Sequence, residues 1–167
     1  MNVGQTELSV VIPLHNEVQS LFELQGALVT SLEAFGDRCE MIFVDDGSTD
    51  GSFQQLQRIR EMDKRVKVVR LRGNQGKAMA LIAGFRQAQG GILLTMDADL
   101  QDDPKEIPRF LQKLEEGYDL VSGWKVIRHD PLFRRVLSIV FNRVTSWLTG
   151  VRLHDFNCGF KAYRRKV

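Results

Sequence analysis

Five short runs of strand-forming apolar residues alternate with four segments of helical periodicity, and this order constrains the fold more than any other feature of the chain. "LSVVIPL" (8–14) is a buried strand that Pro13 ends. Residues 17–35 follow as a helix, with Leu21, Leu24, Leu28 and Leu32 spaced by three and four. "EMIFVDD" (40–46), "VKVVRL" (66–71), "GILLTMDAD" (91–99) and "YDLVSGW" (118–124) are the remaining strands. Helices over 52–62, 76–88 and 105–115 separate them. Small residues such as Ala83, Gly84 and Ala88 permit close packing of the third helix. Strands alternating with helices predict an α/β fold, a Rossmann-like and mainly parallel sheet with helices on both faces. No linker, repeat or low-complexity stretch interrupts it, so residues 1–167 are expected to form a single domain.

Bulk properties exclude some functions. The 23 basic and 21 acidic residues leave a net charge of +2, so no global field for nucleic acid exists and anion binding must be local. Cys39 and Cys158 form neither a CxxC pair nor a disulfide framework, which favours a reducing compartment. The N-terminus shows no long apolar h-region, and no apolar run approaches the ~18 residues of a bilayer span.

In open α/β sheets, ligands bind outside the carboxyl ends of the strands. The unusual polar residues fall there: "PLHNE" (13–17), Asp45 and Asp46, "RGNQGK" (72–77) and "DADLQDD" (97–103). Each loop alone reads equally as turn and capping chemistry, with Asp50 as a helix cap and Gly47 in a turn. Four together predict one cleft. Asp97 and Asp99, at i and i+2 on a strand, are expected on one face. Two such carboxylates repel unless a cation lies between them or one takes up a proton. Oxygen-only ligands suit Mg²⁺ or Mn²⁺, and Gln101 continues the alternation with a neutral oxygen. Mg²⁺ commonly shares its coordination with substrate phosphates, so the implied ligand is a diphosphate. Neither GxxxxGK[ST] nor GxGxxG occurs. Lys77, after a short glycine-containing loop, either offsets phosphate charge at a helix start or is a solvated surface lysine. His15, His129 and His154 are isolated and read as loop or surface residues.

"VVIPLHNE", "FVDDGSTDGS", "NQGKAMALIAGF", "DADLQDDP" and "DFNCGFKAYRR" occur in the order that characterises family 2 glycosyltransferases. Over roughly residues 8–165 the chain resembles the branch of dolichyl-phosphate mannose synthase and the bacterial polyprenyl-phosphate glycosyltransferases. The resemblance implies a GT-A fold and metal-dependent, inverting transfer of a hexose from a UDP- or GDP-linked nucleotide-diphosphate sugar to a polyprenyl phosphate. It places Pro13, Leu14, Asn16 and Glu17 at the nucleotide, with Asp45 accepting from the base ring and Asp46 beside it. Lys77 and the Asp97–Ala98–Asp99 motif fall at the diphosphate. Asp99, Gln101 and Asp97 are the implied metal ligands for Mg²⁺ or Mn²⁺. Asp155 is placed near sugar and acceptor, to orient the sugar or to act as base for an alcohol acceptor.

A phosphomonoester acceptor is already largely dianionic at neutral pH and needs no base, only cations and hydroxyls to hold it. The resemblance assigns Lys125, Arg134 and Ser138 to that task; the alternative is solvated helix charge. Residues 132–148 carry a broad apolar stripe, read either as a core-packing helix or as an interfacial helix on a membrane surface. The expected location is cytoplasmic, peripheral to the cytoplasmic face of a membrane. Members of the branch usually continue beyond the point where "AYRRKV" ends, so the catalytic domain is expected to be incomplete at its C-terminus. Three competing readings stay open: a family 2 enzyme acting on a sugar hydroxyl or polysaccharide, a non-catalytic nucleotide-binding module, and a phosphoacceptor receiver.

Overall fold

A computed structural model describes residues 6–124 and 158–167. Six strands form one sheet in the order β3-β2-β1-β4-β6-β5. β1 (Leu8–Leu14), β2 (Cys39–Asp45), β3 (Val66–Arg70) and β4 (Ile92–Thr95) run parallel; β6 (Lys161–Arg164) runs antiparallel between β4 and β5 (Leu120–Ser122). The helices are α1 (Leu21–Ser31), α2 (Ser52–Met62), α3 (Lys77–Gln87) and α4 (Ile107–Glu115). Short 3₁₀ segments, Glu33–Arg38 and Pro104–Glu106, follow α1 and precede α4.

Strand alternation sorts the core into two layers. Leu8, Val10, Ile12 and Leu14 of β1, with Met41 and Phe43 of β2, pack beneath Leu21, Leu24 and Leu28 of α1, Leu56 and Ile59 of α2, and α4. Val11, Ile42 and Val44 face α3 on the other side. That approach is close enough that a β-carbon on Gly84 would stand 2.3 Å from Val11 Cγ1. Both faces of the central strands are therefore covered, which explains why β1 and β2 read as continuous apolar runs.

Several boundaries differ from expectation, for visible reasons. α1 starts at Leu21 rather than Glu17 because the Glu17 amide donates to Ser52 Oγ at the start of α2 and the Val18 amide to Asp50 Oδ2 in the loop before it. The expected helix end at residue 35 becomes a 3₁₀ turn in which Gly36 adopts φ 53°. β4 ends at Thr95, four residues early, since the Asp97 amide turns away to donate to Asp102 Oδ2. Leu100, at φ 62°, breaks the extended geometry altogether. Asp97, Asp99 and Gln101 are thus loop residues, and the strand alternation expected to align them does not extend to them. β6 is an element that periodicity did not indicate.

Candidate active site

The strand order reverses at β1, whose neighbours are β2 and β4, and the loops leaving β1, β2, β3 and β4 converge there. They enclose a cleft of about 320 Å³. From β1 come Pro13, Leu14, His15 and Glu17; Asp46 follows β2. Asn74, Gly76, Lys77 and Ala80 enter from the loop before α3 and its first turn, and Asp97, Ala98 and Asp99 from the loop after β4.

The aspartates of "FVDDGSTDGS" have found their positive partners mainly in backbone amides. Asp45, fully buried, accepts from Ser48 N at 2.8 Å. Asp46 accepts from Gln75 N and Gly76 N, each at 2.8 Å, one per carboxylate oxygen. Asp50 accepts from Val18 N, Ser52 N and Ser52 Oγ. Partial burial pushes the Asp50 carboxyl up, but these hydrogen bonds outweigh it and leave the pKa below the ordinary range. Both oxygens of Asp46, which also lines the cleft, brace the loop that carries Lys77. Gly47 completes that brace. It sits at φ 73°, and a β-carbon there would lie 2.6 Å from both the carbonyl carbon and Cα of Gly73.

His15, expected to be a mere loop residue, lines the cleft. Its Nδ1 donates to Asp46 O at 2.8 Å, leaving Nε2 to accept from Asn16 Nδ2 at 3.3 Å. Asn16, at φ 59°, ties the first loop to the second through Ser48 Oγ and Thr49 N. It does this from outside the cleft lining. Asp45 also lies outside the lining: its Oδ2 is buried without a hydrogen bond, 3.5 Å from Arg70 Nε, and Arg70 lies over the Phe53 ring at 4.3 Å.

Across the cleft, Lys77 Nζ pairs with Asp97 Oδ1. Asp99 accepts from Gln101 N at 3.1 Å, while the Gln101 side chain is exposed and outside the cleft lining. Gly159 presses on Asp97 from the other direction: a β-carbon there would stand 2.6 Å from Asp97 Oδ2. Thr95 Oγ1 fixes this approach by donating to Gly159 O at 2.7 Å. Gly159 was missed as a site residue, although the "DFNCGF" motif contains it; only the placement of β6 beside β4 reveals its role. Lys125, Arg134, Ser138 and Asp155 lie outside the described residues. Among the described residues no cluster of three or more His, Cys, Asp or Glu side chains is poised to hold a metal. Asp97 and Asp99 nevertheless present hard oxygen donors to one cleft, and such donors fit Mg²⁺ or Mn²⁺ when a ligand's phosphates complete the coordination.

The profile of glycosyl transferase family 2 matches residues 9–167. The chain belongs to this family. Family membership removes the receiver reading, in which the acidic pair would follow the first strand. An undecaprenyl-phosphate 4-deoxy-4-formamido-L-arabinose transferase of Pseudomonas syringae pv. syringae is 42% identical over 161 residues, covering 96% of this chain and 48% of that protein. The same-named protein of Salmonella paratyphi B is 38% identical over 162 residues, 96% of this chain and 50% of its own length. The chain therefore spans about half the length of these family 2 relatives.

Among solved structures, a mannosyltransferase from Pyrobaculum calidifontis in complex with GDP-Man and Mn²⁺ superposes with a TM-score of 0.72 at 23% identity, covering 98% of this chain and 46% of the other. Glucosyl-3-phosphoglycerate synthase from Mycobacterium tuberculosis, in complex with Mn²⁺, UDP-Glc and phosphoglyceric acid, gives 0.70 at 24% identity, with 98% and 57% covered. These likenesses establish the GT-A fold of this family 2 chain.

Proposed function

We propose that the protein transfers a glycosyl group from a nucleotide-diphosphate sugar to a polyprenyl phosphate, with inversion and with Mg²⁺ or Mn²⁺ as cofactor. The observation that carries this reading is the cleft itself, where the Lys77 ammonium faces the Asp97 and Asp99 carboxylates at the first turn of α3. Asp97 and Asp99 would hold the cation, with Gln101 nearby, and the cation would supply Lewis-acid stabilisation of the diphosphate leaving group. Lys77 and the first-turn amides of α3 add positive charge where the leaving group gains negative charge. The Asp45 Oδ2, buried without a hydrogen bond and, among the described residues, in ion-pair range of Arg70 alone, is an acceptor suited to a base-ring N–H, at the end of the strand beside the cleft. Pro13, Leu14 and Glu17 line the same cleft.

The acceptor reading draws on the names of the curated relatives, which are undecaprenyl-phosphate transferases. The sugar in those names is a formamido-substituted pentose, so the transferred group is either the hexose that the resemblance implies or a pentose of that kind. A phosphate acceptor needs cations rather than a base, and Lys125, Arg134 and Ser138 are assigned to that role. Peripheral attachment to the cytoplasmic face of a membrane, through the stripe over 132–148, follows from the lipid tail; no helix among the described residues is long and apolar enough to cross a bilayer. Co-sedimentation with anionic vesicles at low salt tests the attachment, and a protein that stays in solution removes it.

The main test is thermal unfolding with UDP or GDP, with and without Mn²⁺. Nucleotide at 100 times its Kd adds about 2.7 kcal/mol, or roughly 5–10 °C for a chain of this size. Asp99→Asn is expected to abolish the metal-dependent part. Equal stabilisation in Mn²⁺ and in chelator refutes the metal assignment. Nucleotide binding without glycosyl transfer to polyprenyl phosphate, or to a sugar hydroxyl, points instead to a binding module.

A further inference from the structure

The N-terminal end of a helix is positive, so a lysine in the first turn sits against the helix dipole. Lys77 is the first residue of α3, yet its ammonium lies in the cleft on Asp97 Oδ1. The carboxylate is enclosed from the other side, since Gly159 comes so close that a β-carbon would stand 2.6 Å from Oδ2 and 2.8 Å from Oδ1. A second ammonium is near: burial holds the pKa of Lys161 below the usual lysine range, and the charge of Lys77 pushes the same way. Asp99 differs from Asp97, because its Oδ1 accepts only a backbone amide and its Oδ2 accepts no hydrogen bond among the described residues.

We infer that Lys77 is an internal counter-ion that exchanges partners, leaving Asp97 for the diphosphate as a divalent cation takes the carboxylate, so that cation and nucleotide bind as a coupled pair. The inference rests on the proposed donor reading and adds to it an order of charge exchange. Lys77 holds Asp97 Oδ1 and Gly159 crowds the carboxylate from the other side, so a divalent cation that takes Oδ1 competes with the ammonium for it. A divalent cation arriving alone must expel the ammonium, which is left at the positive end of α3 beside Lys161 with no anion. A diphosphate arriving alone draws Lys77 away and meets a bare Asp97 carboxylate. When both arrive, each charge has an opposite partner. The coupling is reciprocal, so each ligand raises the affinity of the other by the same factor.

This differs from a fixed structural ion pair in the sign of one effect. Removing the ammonium should strengthen binding of the cation alone while weakening binding of the nucleotide. The experiment is titration with Mn²⁺, following free Mn²⁺ by electron paramagnetic resonance, with and without saturating UDP or GDP, on the full chain. Parent, Lys77→Gln and Lys77→Arg are compared, with unfolding midpoints as a check on the fold. The parent should bind Mn²⁺ at least about tenfold more tightly with nucleotide than without, within the usual range of such couplings. Lys77→Gln should bind Mn²⁺ alone more tightly than the parent and lose most of the coupling, and Lys77→Arg should retain it. A parent that binds Mn²⁺ equally with and without nucleotide overturns the exchange, with no variant needed. So does a Lys77→Gln protein whose Mn²⁺ affinity and coupling equal the parent's. If Mn²⁺ binds none of the three under either condition, the metal reading falls as well, which separates the two failures.

Discussion

Gly47→Ala offers the sharpest test of how the cleft is built. Two costs are legible at this position. The backbone sits at φ 73°, where a side chain costs about 1–2 kcal/mol. The new methyl would also lie 2.6 Å from Gly73 Cα and carbonyl carbon and 2.8 Å from Asn74 N, all backbone atoms that cannot rotate aside. The loop must therefore move, and it is the loop whose Gln75 and Gly76 amides hold Asp46. Weakening those charge-assisted hydrogen bonds adds about 1.5–3 kcal/mol. The sum is a destabilisation of about 2–4 kcal/mol if the second cost is only partly realised, or roughly 5–15 °C in Tm. Urea unfolding followed by circular dichroism measures it. Gly26→Ala is the control, because nothing lies within 4 Å of its would-be β-carbon in the middle of α1, and it should gain about 0.5–1 kcal/mol. Gly47→Asn should recover part of the backbone cost while keeping the collision. A Gly47→Ala protein within about 0.5 kcal/mol of the parent would refute the claim that the two loops are locked together, since that is the scale of an ordinary surface substitution.

Two further outcomes are expected. Asp45→Asn should weaken UDP or GDP binding by about 1.5–3 kcal/mol, roughly 10- to 150-fold in Kd, without altering the preference between Mg²⁺ and Mn²⁺; calorimetric titration showing unchanged affinity rules out the base contact. Glu40, buried at the far end of the sheet, has its carboxyl pushed up by burial but held below the ordinary range overall by Lys67, Ser9 Oγ and Gln89 N. A depressed folded pKa means stability that is present above the unfolded value and lost as pH falls through the folded one. Glu40→Gln should therefore be less stable than the parent at neutral pH, and urea unfolding should show the gap closing below about pH 4.5; a gap that stays constant into acid removes Glu40 from the acid sensitivity.

The parallel half of the fold was legible because its signal is local. β1 and α2 fall on the residues that their apolar spacing indicated, since each buries a face that its own sequence encodes. β6 was not legible. "KAYR" is four residues of mixed polarity, and its strand state comes from pairing with Thr95 and Ser122, which lie far away in sequence. The cleft was legible as a set of loops at strand ends, yet not in the division of labour among its carboxylates. Asp45, Asp46 and Asp50 look alike in sequence, and only the geometry of neighbouring amides separates a brace from a capping turn and from a buried oxygen without a hydrogen bond. The reading of Asp97 and Asp99 as a strand pair failed for the same reason, because an amide bond to Asp102 ended the strand first.

The position of β6 also bears on how the chain comes to be folded as it is made. Among the described strands, β5 pairs with β6 alone, and β6 is synthesised about 40 residues later. At usual elongation rates of roughly 5–20 residues per second, β5 waits about 2–8 s for the one partner it has among the described strands, while β1 to β4 already have theirs. The parallel half can assemble from the N-terminus onward, but Gly159 reaches Asp97 only after the segment around β6 has emerged. For those seconds β4 exposes its outer edge, the kind of unpaired surface on which nascent chains associate. Among the described strands, the late one thus leaves the longest-lived open edge during synthesis, and a chaperone acting on this chain would find that edge there.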